Sequence, residues 1–185
     1  MEKKWKELDI LINEFGQGTV IVKVHKNKGE QQFIEAFREH LSKSHKVIYI
    51  DFAKVSNMRD LAKMILAQAH LLFEDCIDEE LNNSMRFWER EDAYRFLDEV
   101  LKVPQMIIEN SQLSRIVFWS ENYTEVLKLE ESDAICAMMR SVFQMQQGVV
   151  HLFTSDSLDQ TNKIFMDYRK PFFRFARIIK LDDTQ

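Results

Sequence analysis

Three short runs constrain the fold more than any other part of the chain: Val47 to Phe52 (VIYIDF), Arg115 to Trp119 (RIVFW) and Val149 to Phe153 (VVHLF). Each is apolar at nearly every position. A strand with one wet face alternates apolar and polar residues, whereas a strand apolar on both faces needs cover on both. Two further β-branched runs, Thr19 to Val24 (TVIVKV) and Ala176 to Leu181 (ARIIKL), bring the expected strands to five. Stretches of helical spacing separate them, such as Phe33, Phe37, Leu41 and then Leu61, Ile65, Ala69. The pattern predicts an α/β chain in three layers, α/β/α, around a mostly parallel five-stranded sheet.

The spacing predicts helices over 5–15, 30–42, 57–72, 87–103, 130–147 and 156–168. Asn57 is the expected cap of the third. Pro104 is expected to end the helix before it or open the next turn, and Gly148 to close 130–147. Residues 74–86 are polar and acidic, and read as a loop or short helix. No linker, repeat or low-complexity stretch divides the 185 residues, so one domain spanning 1–185 is expected.

Composition excludes several classes of function. Four glycines and two prolines exclude collagen-like and Gly/Pro-rich disordered chains. Twenty-five basic against thirty acidic side chains give a net charge of −5, so nucleic-acid binding would need a local basic patch. Cys76 and Cys136 are far apart and form no CxxC, and the five histidines show no HExxH or paired spacing, so no metal site is expected. The basic start, MEKKWKELDILINEF, is interrupted by charges and reads as an amphipathic helix, not a leader peptide. No apolar run approaches the ~18 residues of a membrane span. A cytoplasmic protein with no membrane contact is the expectation.

In parallel sheets, ligands bind beyond the carboxyl ends of the strands. Strand, short loop, Gly29 and helix form the layout of a phosphate-binding P-loop, G-x-x-x-x-G-K-[ST]. Aligned on Gly29, the chain reads Val24-His25-Lys26-Asn27-Lys28-Gly29-Glu30-Gln31. Val24 replaces the first glycine, Glu30 the lysine that neutralises phosphate, and Gln31 the hydroxyl that holds Mg²⁺. Glu30 suits a helix N-terminus but has the wrong sign for a γ-phosphate. His25, Lys26 and Lys28 leave positive charge in the loop, read first as a solvated turn and second as an anion site.

The third strand repeats the theme. A Walker B strand ends in Asp-Glu, the first residue holding Mg²⁺ and the second polarising water. Here Ile116-Val117-Phe118-Trp119 runs into Ser120-Glu121. Only the glutamate position is kept, so Glu121 is the one catalytic candidate, with a surface or capping role as the simpler reading. Thr154 and Ser155 end the fourth strand, as sensors of a phosphate or as N-cap residues.

As an ordered set these segments resemble the prokaryotic, archaeal-type AAA ATPases within the STAND-like group of P-loop NTPases. Glu7-Leu8 is similar to that family's leading R-E-x-E-L helix. Residues 47–66 (VIYIDFAKVSNMRDLAKMIL) resemble its second strand and helix, and 141–153 (SVFQMQQGVVHLF) its helix and sensor strand. Ile164-Phe165 with Lys170-Pro171-Phe172-Phe173 resembles its I-F…P-F-Y segment. The resemblance implies a P-loop NTPase-like fold. It implies that Arg174 or Arg177 lies near where relatives carry a nucleotide-reaching arginine, with pairing to the acidic surface as the alternative. Relatives continue into a helical or winged-helix region, and a single domain without that lid is expected here. With Val24, Glu30, Gln31 and Ser120 in the site, the expectation is a pseudo-ATPase with no cofactor that acts through a protein partner or self-association. The alternatives are an atypical enzyme that recruits Lys26 or Lys28 to bind ATP and Mg²⁺, and a nucleic-acid-associated accessory domain.

Overall fold

The computed structural model describes residues 10, 19–23, 28–73, 77 and 79–180. The expected helix over 5–15, including Glu7-Leu8, falls outside them except for Ile10, as do Val24 and Cys76. The strands are β1 (Thr19–Lys23), β2 (Lys46–Asp51), β3 (Ile116–Glu121), β4 (Val149–Ser155) and β5 (Arg177–Lys180). They lie in the order β2-β3-β4-β1-β5, and every pair is parallel. The helices are α1 (Lys28–Ser44), α2 (Met58–Phe73), α3 (Glu79–Glu91), α4 (Ala93–Asn110), α5 (Ser132–Phe143) and α6 (Leu158–Phe165).

Strand order fixes the layering. The chain steps one way across the sheet from β1 to β2 and the other way from β2 through β3 and β4 to β5. Right-handed crossovers then put α1 on one face and the later helices on the other. Packing agrees with this. Ile48, Ile50, Ile116, Phe118, Val149 and Phe153 join the large core with α2, α4, α5 and α6. The alternate residues Val47, Val117, Trp119, Val150 and Leu152 are buried on the opposite face, with Phe37 and Leu41 of α1. Phe37 meets Trp119 with ring centres 5.7 Å apart. The strands that read as doubly apolar are covered on both sides.

Asn57 caps α2 as expected, its Oδ1 accepting the Asp60 N–H at 2.9 Å. Elsewhere the elements differ from the sequence reading. Residues 79–86 belong to helix α3, and the helix expected over 87–103 breaks at Asp92, whose carboxylate caps α4 by accepting the Arg95 N–H at 3.0 Å. Pro104 lies inside α4 and does not end it. A helical proline costs one N–H bond and crowds the carbonyl four residues back. The carbonyl that loses its N–H partner is that of Val100; the neighbouring Leu101 carbonyl accepts from Gln146 Nε2, in the turn after α5, at 2.8 Å. The helix expected over 130–147 is the shorter α5. Gly148 serves the turn into β4 with φ +78°, where a side chain would meet the Ser114 carbonyl at 2.9 Å. A 3₁₀ helix, Tyr123–Lys128, follows β3 and had no sequence signal.

Candidate functional site at the carboxyl edge of the sheet

The two chain directions diverge between β1 and β4, which makes their carboxyl ends the switch point where parallel sheets bind ligands. Lys23 and Ser155 are register partners there. The loop residues His25, Lys26 and Asn27 lie outside the described residues, while Lys28, Gly29, Glu30 and Gln31 form the first turn of α1. The order of strand then helix, β1 followed by α1, is therefore present.

Ser120 is fully buried, and its hydroxyl has no hydrogen-bond partner. By the pleat its side chain points to the face of the large core, away from α1. An ionised carboxylate in that position would be desolvated without a partner, so serine suits the site where aspartate does not. Glu121 points to the other face and is half-buried. Burial raises its carboxyl above the usual range; the nearby Arg38 guanidinium works against the rise and Glu35 adds to it. Arg38 and Glu35 both come from α1, and Arg38 also stacks over the Tyr49 ring at 4.7 Å.

Asp51 is the register partner of Glu121, so two carboxylates end adjacent strands. This residue is not among those singled out from the sequence. Asp51 is fully engaged. Its Oδ1 accepts from Asn122 Nδ2 at 2.8 Å and from the Ala53 N–H at 3.1 Å, and Lys54 Nζ lies 3.5 Å from Oδ2. Asn122 sits in the left-handed region at φ 51°, which asparagine tolerates better than most residues.

Thr154 and Ser155 are the last residues of β4 and not helix caps; Ser157 caps α6. Thr154 Oγ1 accepts the Trp119 Nε1–H at 3.0 Å. Ser155 Oγ donates to Thr124 Oγ1 at 3.2 Å and accepts the Ser157 N–H at 3.1 Å. Just beyond β2 and β3, Phe52 and Tyr123 turn inward. Tyr123 is ringed by Phe52, Phe153, Phe165 and Phe172 at 4.5–5.9 Å.

The arginines are placed apart from this edge. Arg177 opens β5 level with Val20, at the amino end of the sheet. Arg174 just precedes it, exposed, with its guanidinium 5.0 Å from the Phe173 ring. The structure brings Ser120, Glu121, Thr154 and Ser155 to one edge, and leaves Arg177 at the other.

The magnesium ion and ATP that such a fold implies need a carboxylate or hydroxyl open to the crevice. Ser120, Thr154 and Ser155 turn their hydroxyls inward and Asp51 is held by Asn122 and Ala53, which leaves the half-buried Glu121 as the one described strand-end carboxylate at this edge and does not make up a magnesium donor set. Among the described residues no three His, Cys, Asp or Glu come together to hold a metal ion.

A prediction follows for Glu121. A carboxyl raised in the folded state favours folding below its unfolded value and loses that contribution as pH rises through the folded one. Glu121→Gln is therefore expected to raise the melting temperature at pH 7.5 and leave it nearly unchanged at pH 4, as thermal melts at the two pH values will show.

Several solved structures share this architecture. The Walker-type ATPase PABY2304 of Pyrococcus abyssi superposes with a TM-score of 0.67 at 11% identity, covering 97% of this chain and 52% of that one. Cdc6p of Pyrobaculum aerophilum gives 0.60 at 10% identity, covering 97% and 44%. The ORC2 protein of Aeropyrum pernix gives 0.59 at 10%, covering 97% and 46%. The chain spans about half the length of these proteins. They establish a P-loop ATPase-like fold, and at such identity the fold alone. No protein-family model matches the chain. No curated protein matches it either. Among the described residues no helix is long and apolar enough to cross a membrane.

Proposed function

We propose that this chain is a P-loop-fold pseudo-ATPase that works through contacts with a protein partner. One observation carries the reading: apart from Glu121, the described side chains at the carboxyl ends of β2, β3 and β4 are spent on internal bonds and packing. Ser120, Thr154 and Ser155 turn inward, Asp51 is held by Asn122, and Phe52 and Tyr123 fill the core. The substitutions Val24, Glu30 and Gln31 at the phosphate loop support it. So do the large aromatic side chains left on the surface, Phe87 on α3 and Tyr94 on α4, each 54% exposed.

A second reading rests on Glu121. A carboxyl held against its own solvation at a strand end is common where chemistry is done. In that reading Glu121 is the base of an atypical ATPase that uses Lys26 or Lys28 on the phosphates. Steady-state hydrolysis of Mg·ATP separates the two. The pseudo-ATPase gives the rate of buffer for wild type and Glu121→Gln alike. Turnover above buffer that Glu121→Gln abolishes establishes the second reading.

A further inference from the structure

The amino-terminal edge of the sheet, opposite the crevice just described, carries a cleft of about 600 Å³ between the starts of β2 and β3. The end of α1 and the turn after α4 form its walls. Its lining includes three cationic side chains, Lys43, Lys46 and Arg115, together with His45, Gln112 and Ser114, and among the described residues no carboxylate. In a chain of net charge −5, so one-signed a concavity concentrates positive potential, because field lines focus in a cleft with low-dielectric walls.

The helix ends explain part of this basicity. α1 and α4 point their carboxyl ends here, and cations offset the partial negative charge of the last carbonyls. Part of that need is met locally: one carbonyl of each end is satisfied, Leu41 by the His45 N–H at 2.8 Å and Ile108 by the Ser111 N–H. Lys43 has a carboxylate partner outside the lining, Glu39, at 3.0 Å, and both are largely exposed, a pairing that contributes little and yields readily. Lys46 projects from the first residue of the edge strand β2 and is exposed. Ser44 Oγ and His45 Nδ1 lie 2.7 Å apart, which fixes the ring at the cleft wall.

We infer that this cleft is an anion site that takes a phosphate-bearing ligand, with Lys43 and Lys46 as its charge partners and Gln112 and Ser114 as neutral donors. It is independent of the degenerate loop after β1. The phosphate can belong to a small phosphorylated molecule or to a nucleic-acid backbone, since both present the same oxygens to the same cations.

Thermal melts and equilibrium titrations at low salt test this with three probes: inorganic phosphate, pyrophosphate and a labelled 20-nucleotide single strand. Wild type should be stabilised saturably by pyrophosphate, and Lys43→Gln/Lys46→Gln should bind about tenfold more weakly, as expected when charge-assisted bonds are lost. Pyrophosphate binding without oligonucleotide binding identifies a small-molecule site. Oligonucleotide binding that pyrophosphate displaces identifies a backbone site. Arg115 has contacts within the fold, so the lysine pair is the variant of choice; its own melt without ligand checks that it folds. No saturable shift, or equal shifts in wild type and Lys43→Gln/Lys46→Gln, overturns the inference. Loss of binding in Lys26→Ala/Lys28→Ala but not in the cleft variant overturns it too, and restores the loop after β1 as the phosphate site.

Discussion

Trp119→Ala is expected to lower the unfolding free energy by about 4 kcal/mol, in the range for truncating a buried aromatic in a core that only partly collapses. Trp119 is fully buried in the interior strand β3, on the face covered by α1. Its ring packs with Phe37 of α1 at 5.7 Å and Tyr49 of β2 at 5.8 Å, so it ties the helix to the sheet. Its Nε1–H also satisfies the Thr154 hydroxyl. Removing the ring opens a cavity and strands a buried oxygen, two costs that add. Trp119→Phe keeps most of the volume and loses the hydrogen bond, for an expected cost of about 1–2 kcal/mol. Urea unfolding of the three proteins measures both. Near-equal losses in the two variants would mean that the hydrogen bond, not the packing, holds this face together.

The second large effect is an acid sensitivity set by His151. This histidine stands in β4, buried, stacked on Phe143 with ring centres 3.7 Å apart, and neither ring nitrogen has a hydrogen-bond partner. Burial pushes its pKa down from 6.5 to about 3. The sign follows from where the proton goes. Between those values the unfolded chain binds a proton that the folded chain refuses, so the contribution present above pH 6.5 is lost as pH falls. Each pH unit below 6.5 costs about 1.4 kcal/mol, and the loss from pH 7.5 to pH 5 is about 2 kcal/mol. His151→Leu removes this group and keeps the position apolar. The variant should lose less stability than wild type over that interval, by about the same 2 kcal/mol. Parallel slopes for the two proteins would place a hydrogen-bond partner, such as a buried water, on the ring.

The legibility of the chain divides along physical lines. The runs VIYIDF, RIVFW and VVHLF announced strands covered on both faces because burial on both faces leaves a local mark in the sequence. The helix break at Asp92 left none, since the apolar spacing runs through it and only the cap geometry shows the restart. Pro104 misled because one lost N–H bond is outweighed by packing: Val100, Leu101, Val103, Pro104 and Ile107 of α4 are all buried. The site divides in the same way. Glu121 was legible as the end of an apolar strand, but its partners Arg38 and Glu35 lie more than eighty residues earlier. Asp51 and Asn122 were missed because their bond spans 71 residues. Thr154 and Ser155 have residue types that suit a sensor, and only the packing of Trp119 and Thr124 reveals what they bind.

The proposed pseudo-ATPase role turns on whether the crevice at the carboxyl edge holds a magnesium nucleotide. A melting curve with millimolar ATP, ADP or GTP, each with and without Mg²⁺, tests it most directly, since any ligand specific for the folded state must stabilise it. The account predicts that none of the six conditions moves the wild-type midpoint in a way that Lys26→Ala/Lys28→Ala abolishes. A Mg²⁺-dependent rise that disappears in that variant would contradict the account and make the altered loop a working phosphate site.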